Sequence, residues 1–393
     1  AFSGFRLWGV PMYPGEVRGM GPLSSFWARV TEVARSQGGP RANLPSLGPR
    51  VDNPPRLPVA QTAMLIFAGK GGVGKTTLAC ATALRVARVC AGKRFLLFSA
   101  DPAHSLADCL GVPLGAEPSQ VAPGLWALEL DANADLAALK GEYRQELAQF
   151  LSRVSPNLDL TFDREVMERI LDLSPPGIDE LMALAAVMSR LAPGGFDTLI
   201  LDAAPTGHLV RLLELPELVD GWLKAVFGLF LKYRTVFRLP RVAKRLVMMS
   251  KDLKRLQSVL HDPARASLFA VSALTEMSFA ETQDLLAVCE RLAVPVSALF
   301  LNMATPDSPD PLCGSVFRRE SAVRERFSAA FPRIHQAVVY RQGNPAGLAM
   351  LGALGRSLFS PAAGEEPARK DTRFRGRPIG SQECSQGKVQ DVR

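Results

Sequence analysis

The chain has 393 residues, 47% hydrophobic and 21% charged, which is ample for a sizeable core held as one domain with a large insertion or as two small domains. Its formal net charge of +8 permits acidic partners such as nucleotides, nucleic acid or anionic lipid and selects none of them. A membrane-crossing helix takes about 20 apolar residues, and the nearest run, 219–231, is shorter and interrupted by Asp220 and Lys224.

Residues 1–60 are rich in Gly, Pro, Arg and Ser and show little periodicity. They are expected to be mostly disordered, giving a disordered extension over 1–62. Two readings are open for this stretch. Met64 stands where the first strand must begin, which favours a start there with an extension upstream. The alternative is an Arg-rich, acid-poor targeting peptide. No lysine-led signal peptide with an apolar core is present.

From Met64 onward short apolar runs alternate with helical patterns, the mark of a parallel sheet with crossover helices. Strands are expected at 65–68, 95–99, 125–130, 198–202, 268–272, 296–302 and 337–340, with helices such as 76–90 and 279–292 between them. Right-handed crossovers place the motif-bearing strand ends along one edge of the sheet. The predicted class is therefore α/β, a doubly wound and mainly parallel sheet, filling 63–359. Helical patterns at about 135–190 and 216–262 fall between strands and read as an inserted helical subdomain. From Ser360 to Arg393 the composition turns to Gly, Pro, Arg, Gln and Ser, a disordered basic tail. No internal repeat is visible, so the chain holds a single unit.

The loop after the first strand reads Gly69-Lys70-Gly71-Gly72-Val73-Gly74-Lys75-Thr76-Thr77. It fits Gly-x-x-x-x-Gly-Lys-Thr between an apolar strand and an amphipathic helix, the context of a phosphate-binding loop. Its glycines let backbone N–H groups turn onto phosphate oxygens, and the following helix adds its positive end. Lys75 is expected at the β- and γ-phosphates and the Thr76 hydroxyl on Mg²⁺. Ser99-Ala100-Asp101-Pro102-Ala103-His104-Ser105-Leu106-Ala107-Asp108 follows the second strand; a carboxylate there can orient or deprotonate a water. Leu201-Asp202-Ala203-Ala204-Pro205-Thr206-Gly207-His208 follows a later strand. There Asp202 is placed to hold Mg²⁺ through water, and Gly207 can let a backbone amide meet the γ-phosphate. With only four histidines in the chain, His208 reads as a switch hydrogen-bonder rather than a zinc ligand.

These strings resemble a known family. The two-lysine loop is similar to the deviant Walker A of dimeric, SIMIBI-like P-loop ATPases, and Asp-Pro-Ala-His-Ser-Leu-x-Asp resembles switch I of the arsenite-pump (ArsA-type) and tail-anchored-protein-targeting ATPases. Asp202 to His208 resembles their switch II, with Ala203 where Thr is usual. The resemblance covers roughly 64–358 and implies ATP and Mg²⁺ as cofactors and a homodimer. It implies that Lys70 reaches across to the partner's phosphates as an arginine finger does, and that Asp101 polarises the attacking water and, with Asp202, faces Mg²⁺ through water. Pro205, Thr206, Gly207 and His208 become switch II. Asn302 matches the asparagine that reads the adenine edge, and Asn344-Pro345-Ala346-Gly347-Leu348 resembles a late turn near the base, with Ala346 in place of Arg. Pro175 to Met182 resembles a stretch shared by the targeting members and many bacterial relatives.

The branch is less plain. The pump members bind As(III) through cysteines in the helical region, and this chain has none between Cys109 and Cys289, whereas a soft ion favours thiolates. The targeting members close their dimer with a zinc on Cys-x-x-Cys pairs, a motif absent here. The six cysteines, Cys80, Cys90, Cys109, Cys289, Cys313 and Cys384, are scattered and read as reduced thiols of a cytosolic protein. Cys80, Cys90 and Cys289 fall in apolar helical patterns that suit burial.

Trp222 to Leu231 is strongly apolar and is followed by a basic stretch from Lys232 to Arg255 containing Met248 and Met249. It reads as a groove wall for a hydrophobic helix, as an amphipathic helix on anionic lipid, or as a core-packed helix with a solvated basic face. The leading expectation is an ATP-hydrolysing dimeric motor or switch that handles a hydrophobic client segment or a membrane transporter. It is placed in the cytoplasm, with peripheral membrane contact open and no nucleic-acid partner expected. Two alternatives stand beside it: an arsenite-efflux pump ATPase subunit, and a non-enzymatic nucleotide switch of the partitioning type. An iron–sulfur electron-transfer role lacks the cysteine spacing.

Overall fold

Apolar runs without alternation suit strands covered on both faces. Three such runs, Met64–Ala68, Phe95–Ser99 and Thr198–Asp202, are buried at every residue in the computed structural model. It describes residues 6–11, 13, 17, 19–32, 48–57, 62–99, 105–130, 195–203, 240–343 and 345–361, with short pieces between 137 and 148, 187 and 191, and 219 and 228. In chain order the described strands are β1 (Trp8–Gly9), β2 (Thr31–Glu32), β3 (Val51–Asp52), β4 (Met64–Ala68), β5 (Phe95–Ser99), β6 (Ser119–Ala122), β7 (Leu125–Glu129), β8 (Thr198–Asp202), β9 (Ala266–Ala273), β10 (Val296–Ala304) and β11 (Gln336–Tyr340). The helices numbered here are α1 (Met20–Ser24), α2 (Lys75–Val89), α3 (Ser105–Leu110), α4 (Pro240–Leu260), α5 (Glu276–Arg291), α6 (Pro311–Ala330) and α7 (Leu348–Leu358).

Strands β3 to β11 form one nine-stranded sheet in the order β3-β11-β10-β9-β4-β8-β5-β7-β6. The strands from β11 to β7 are all parallel to their neighbours, and the edge strands β3 and β6 run antiparallel. The parallel set coincides with the strands expected from the sequence; β3 and β6 were not expected. In the centre, β4 lies between β8 and β9, and β8 lies between β4 and β5.

Side chains alternate across the sheet, and so they feed two separate cores. Met64, Ile66, Phe98, Leu199 and Leu201 join α4, α5 and α6 on one face through Leu253, Leu256, Phe279, Leu286 and Phe327. Leu65, Phe67, Leu97 and Ile200 join α2, α3 and α7 on the other through Leu78, Val86, Leu110, Leu351 and Leu354. Helices on both faces of a mainly parallel sheet make the fold doubly wound, as expected. Helix starts follow local rules: Thr275 caps α5 by accepting from Ser278 N at 3.2 Å, and Asp310 caps α6, which opens on Pro311, by accepting from Cys313 N at 2.8 Å.

The expectation of a disordered extension over 1–62 needs correction where the chain is described. Trp8–Gly9 pairs with Thr31–Glu32, and α1 lies between them. More consequentially, residues 48–57 complete the sheet. Val51 and Asp52 pair with Val339 and Val338 of β11. Tyr340 donates its hydroxyl to Asp52 at 2.7 Å, and the Arg50 guanidinium lies 4.0 Å from the Tyr340 ring centroid. The tail boundary also shifts, because Phe359 is buried and Ser360 donates its N–H to Pro55 O and its hydroxyl to Pro54 O, both at 2.9 Å. A two-residue strand carries no periodicity, so only contacts between distant residues define this edge.

Of the insertions, 149–186 lies outside the described residues, as does the Pro175 to Met182 stretch. Helix α4 corrects the open reading of the basic segment in part: Leu246, Met249, Leu253, Leu256, Val259 and Leu260 are buried, so this face packs in the core. Val247 and Met248 remain 41% and 52% exposed, between Lys244 and Lys251. Arg245 pairs with Glu142 at 2.7 Å, and Arg241 N donates to Glu146. No helix among the described residues is long and apolar enough to cross a membrane.

Candidate functional site

Parallel pairing brings the motif-bearing strand ends together. In register, Phe67 of β4 faces Asp202 of β8, and Asp202 faces Ser99 of β5. The loop Gly69 to Thr77, Asp202 and Ser99 at the end of β5 therefore meet at one edge, as the crossover argument requires.

At two positions the loop's conformation calls for glycine. A Cβ on Gly69 would stand 2.0 Å from Val271 O of β9. Gly74 has φ 89 and ψ 26, a left-handed conformation, and a Cβ there would stand 2.4 Å from Asn302 Nδ2. Between them, Gly71 and Gly72 are exposed and Val73 is buried in the core. The result is a turn with its tip at the surface and its ends pinned to β9 and β10. It leads into α2, whose first backbone N–H groups lack intrahelical partners.

Five of the side chains singled out in the sequence are placed by this frame. Lys75 is 6% exposed, and its ammonium donates to Lys70 O at 3.0 Å, so it curls over the loop. Thr76 donates its hydroxyl to Asp202 Oδ2 at 2.7 Å, and Asp202 is 1% exposed. Those two residues come from separate motifs, and the fold brings them into contact. Their hydroxyl and carboxylate are hard oxygen donors that suit Mg²⁺. Lys70 forms an ion pair with Glu281 of α5 at 2.8 Å. Asn302 donates its amide to Val73 O at 2.8 Å, so in this structure it braces the loop.

Asp101, Pro205, Thr206, Gly207 and His208 lie outside the described residues, and so does Asn344. The late turn after it is described: Gly347, with φ 84, donates its N–H to Cys109 O at 2.9 Å and starts α7.

Three features near the site were not legible in the sequence. Glu281 is the first. The second is Glu129, a buried carboxylate ending β7, which accepts from Ala107 N at 3.0 Å and so ties β7 to α3; an acidic residue closing an otherwise apolar run was the available signal. The third is the contact of Cys80 on α2 with Cys109 on α3. Burial pushes the Cys80 thiol up, so it keeps its proton and donates to Cys109. Cys80 and Cys289 are buried as expected; burial pushes Cys289 up to about 12, whereas Cys90 is only partly covered. Cys384 lies outside the described residues.

Comparison with known proteins agrees with this geometry. Residues 62–339 match the family model described as anion-transporting ATPase. A Chlorobaculum tepidum protein carrying the name arsenical pump-driving ATPase is 39% identical over 168 residues, 42% of this chain and 38% of that protein. ATPase get3 of Schizosaccharomyces japonicus is 38% identical over 168 residues, 42% of this chain and 47% of that protein. A longer match, at 24% identity over 303 residues, covers 72% of this chain and 88% of the ATPase ASNA1 homolog 1 of Paramecium tetraurelia. The first two alignments thus span less than half the length of those relatives.

Proposed function

This chain belongs to the anion-transporting ATPase family, and from that premise we propose that it hydrolyses ATP with Mg²⁺ as a homodimer and uses the cycle to hold and release a client. The observation that carries the reading is the contact of Thr76 with Asp202 at 2.7 Å beside the start of α2. It gathers two hard-oxygen donors at the mouth of a loop that only glycine can line at Gly69 and Gly74.

Each residue has a separate task in this reading. The loop N–H groups and the positive end of α2 bind phosphate oxygens. Lys75 leaves the Lys70 carbonyl to meet the β- and γ-phosphates. Thr76 and, through water, Asp202 and Asp101 would hold Mg²⁺, which would supply positive charge against the phosphates. Asp101 orients the attacking water and takes its proton. Lys70 crosses to the partner subunit and offsets charge developing during transfer. Pro205, Thr206, Gly207 and His208 form the segment that responds to the γ-phosphate. Asn302 braces the loop and, with nucleotide bound, faces the adenine edge. The client is a hydrophobic protein segment or a membrane partner, supported by the exposed Val247 and Met248 between basic side chains of α4.

The arsenical reading is weaker for this chain, because no cysteine lies between Cys109 and Cys289. Hydrolysis of Mg-ATP by purified protein tests the assignment. Asp101→Asn is expected to lower the rate by a factor of about 10² or more while keeping nucleotide binding. A variant that hydrolyses at the normal rate contradicts the role given to Asp101.

A further inference from the structure

We propose that Glu281 is a latch that holds Lys70 on its own subunit until a second copy closes over the nucleotide. The proposal rests on the reading of Lys70 as a residue acting across a dimer. The Lys70 ammonium stands 2.8 Å from Glu281 Oε1, with the two side chains 25% and 39% exposed. The pair joins the phosphate-binding loop to the helix after β9. Topology brings these together, because β4 and β9 are parallel neighbours, with Ala68 opposite Ala270 just before the loop.

The two partners are mounted differently. Lys70 is carried on the turn itself, and the two residues that follow it, Gly71 and Gly72, are exposed glycines that leave the backbone there free to re-aim. Glu281 sits on a firmly seated helix. Phe279 and Thr282 on either side are 5% and 4% exposed, and Thr282 donates its hydroxyl to Ser278 O at 2.6 Å. One turn earlier on the same face, Met277 is 57% exposed. The other acidic group early in this helix, Glu276, pairs with Arg326. Glu281 therefore presents a fixed carboxylate at the rim of the loop, and Lys70 is the movable partner.

A lysine that reaches another subunit must first give up this bond. A partly exposed ion pair shifts an equilibrium by a factor of about 1.4 to 5. Two such pairs open when one dimer closes, so removing the latch is expected to tighten nucleotide-dependent dimerisation by about 2- to 30-fold. Glu281 is thus a positioning residue, setting the protein concentration at which the dimer forms and leaving the assembled site unchanged.

Sedimentation equilibrium with Mg²⁺ and a non-hydrolysable ATP analogue tests this on the full chain, using wild type, Glu281→Gln, Glu281→Asp, Lys70→Ala and the Lys70→Ala/Glu281→Gln double variant. Thermal melting confirms that each is folded. Glu281→Gln is expected to dimerise about 2- to 30-fold more tightly, Glu281→Asp to stay near wild type, and the gain to vanish in the Lys70→Ala background. The ATPase rate of Glu281→Gln is expected to reach the wild-type plateau at a correspondingly lower protein concentration. If Glu281→Gln dimerises no more tightly while Lys70→Ala weakens the dimer, the latch is wrong and the trans-acting lysine stands. If Lys70→Ala changes neither dimerisation nor hydrolysis, the trans-acting reading fails and the latch falls with it. A gain that persists without Lys70, or a lowered plateau in Glu281→Gln, also overturns the latch.

Discussion

At the centre of the sheet, β4, β9 and β10 meet through Phe67, Phe269 and Phe300, with the ring of Phe269 5.2 Å and 5.6 Å from the other two. At the edge, β3 and its flanks are held to β11 by the pairing of Val51 and Asp52, the Tyr340 hydroxyl on Asp52, the Asn53 amide on Gln336 O and the Arg50 guanidinium over the Tyr340 ring. The centre is held by apolar area and the edge by a few directional contacts between residues far apart in the chain. The site draws on both kinds of order. The central strands aim the loop and Asp202, whereas its finer settings, such as the Lys70–Glu281 pair, resemble the edge.

The largest effect is expected in the centre. Phe269 is fully buried, and its ring also lies 5.8 Å from Phe359 after α7. Phe269→Ala is expected to cost about 3–5 kcal/mol, read from denaturant unfolding. A cost below about 1 kcal/mol, the range of volume-conserving core swaps, would mean that this cluster is not the anchor of the sheet.

The edge should give a smaller and pH-dependent effect. Tyr340→Phe removes the hydroxyl bond to Asp52 and keeps the ring under Arg50, so the expected cost is about 1 kcal/mol. Burial, then the hydrogen bond and charge of Asp52, hold the Tyr340 hydroxyl above its ordinary value. The folded state therefore holds this proton more tightly than the unfolded state. The contribution is fully present below the ordinary tyrosine value of about 10 and is lost as pH rises through the higher folded value. Wild type should lose stability above that pH faster than Tyr340→Phe. Equal slopes in alkaline thermal melts would place the edge's stability elsewhere.

The same contrast explains what the sequence disclosed. Met64–Ala68, Phe95–Ser99 and Thr198–Asp202 announce themselves because a strand covered on both faces needs a continuous apolar run. The glycine-rich loop is legible because a close backbone approach at Gly69 and a left-handed conformation at Gly74 favour glycine. That the loop and Asp202 share one edge follows from which strand ends must meet, whereas the contact of Thr76 with Asp202 is seen only in the fold. By contrast, β3 has two residues and no alternation, so composition pointed to disorder. Glu281 looks like any charge on an amphipathic helix until the neighbouring strand brings Lys70 beside it. Asn302 was singled out by resemblance, for a different task, and its bond to Val73 O depends on the approach of β10 to the loop.

The central claim is that Lys70 acts across a dimer, and the most direct test is the specific rate of Mg-ATP hydrolysis across protein concentration, for wild type and Lys70→Ala. The account predicts a wild-type rate that rises with concentration to a plateau, and a collapse in Lys70→Ala at every concentration. A rate independent of concentration and indifferent to Lys70 would contradict it, leaving a monomeric ATPase or a passive nucleotide switch.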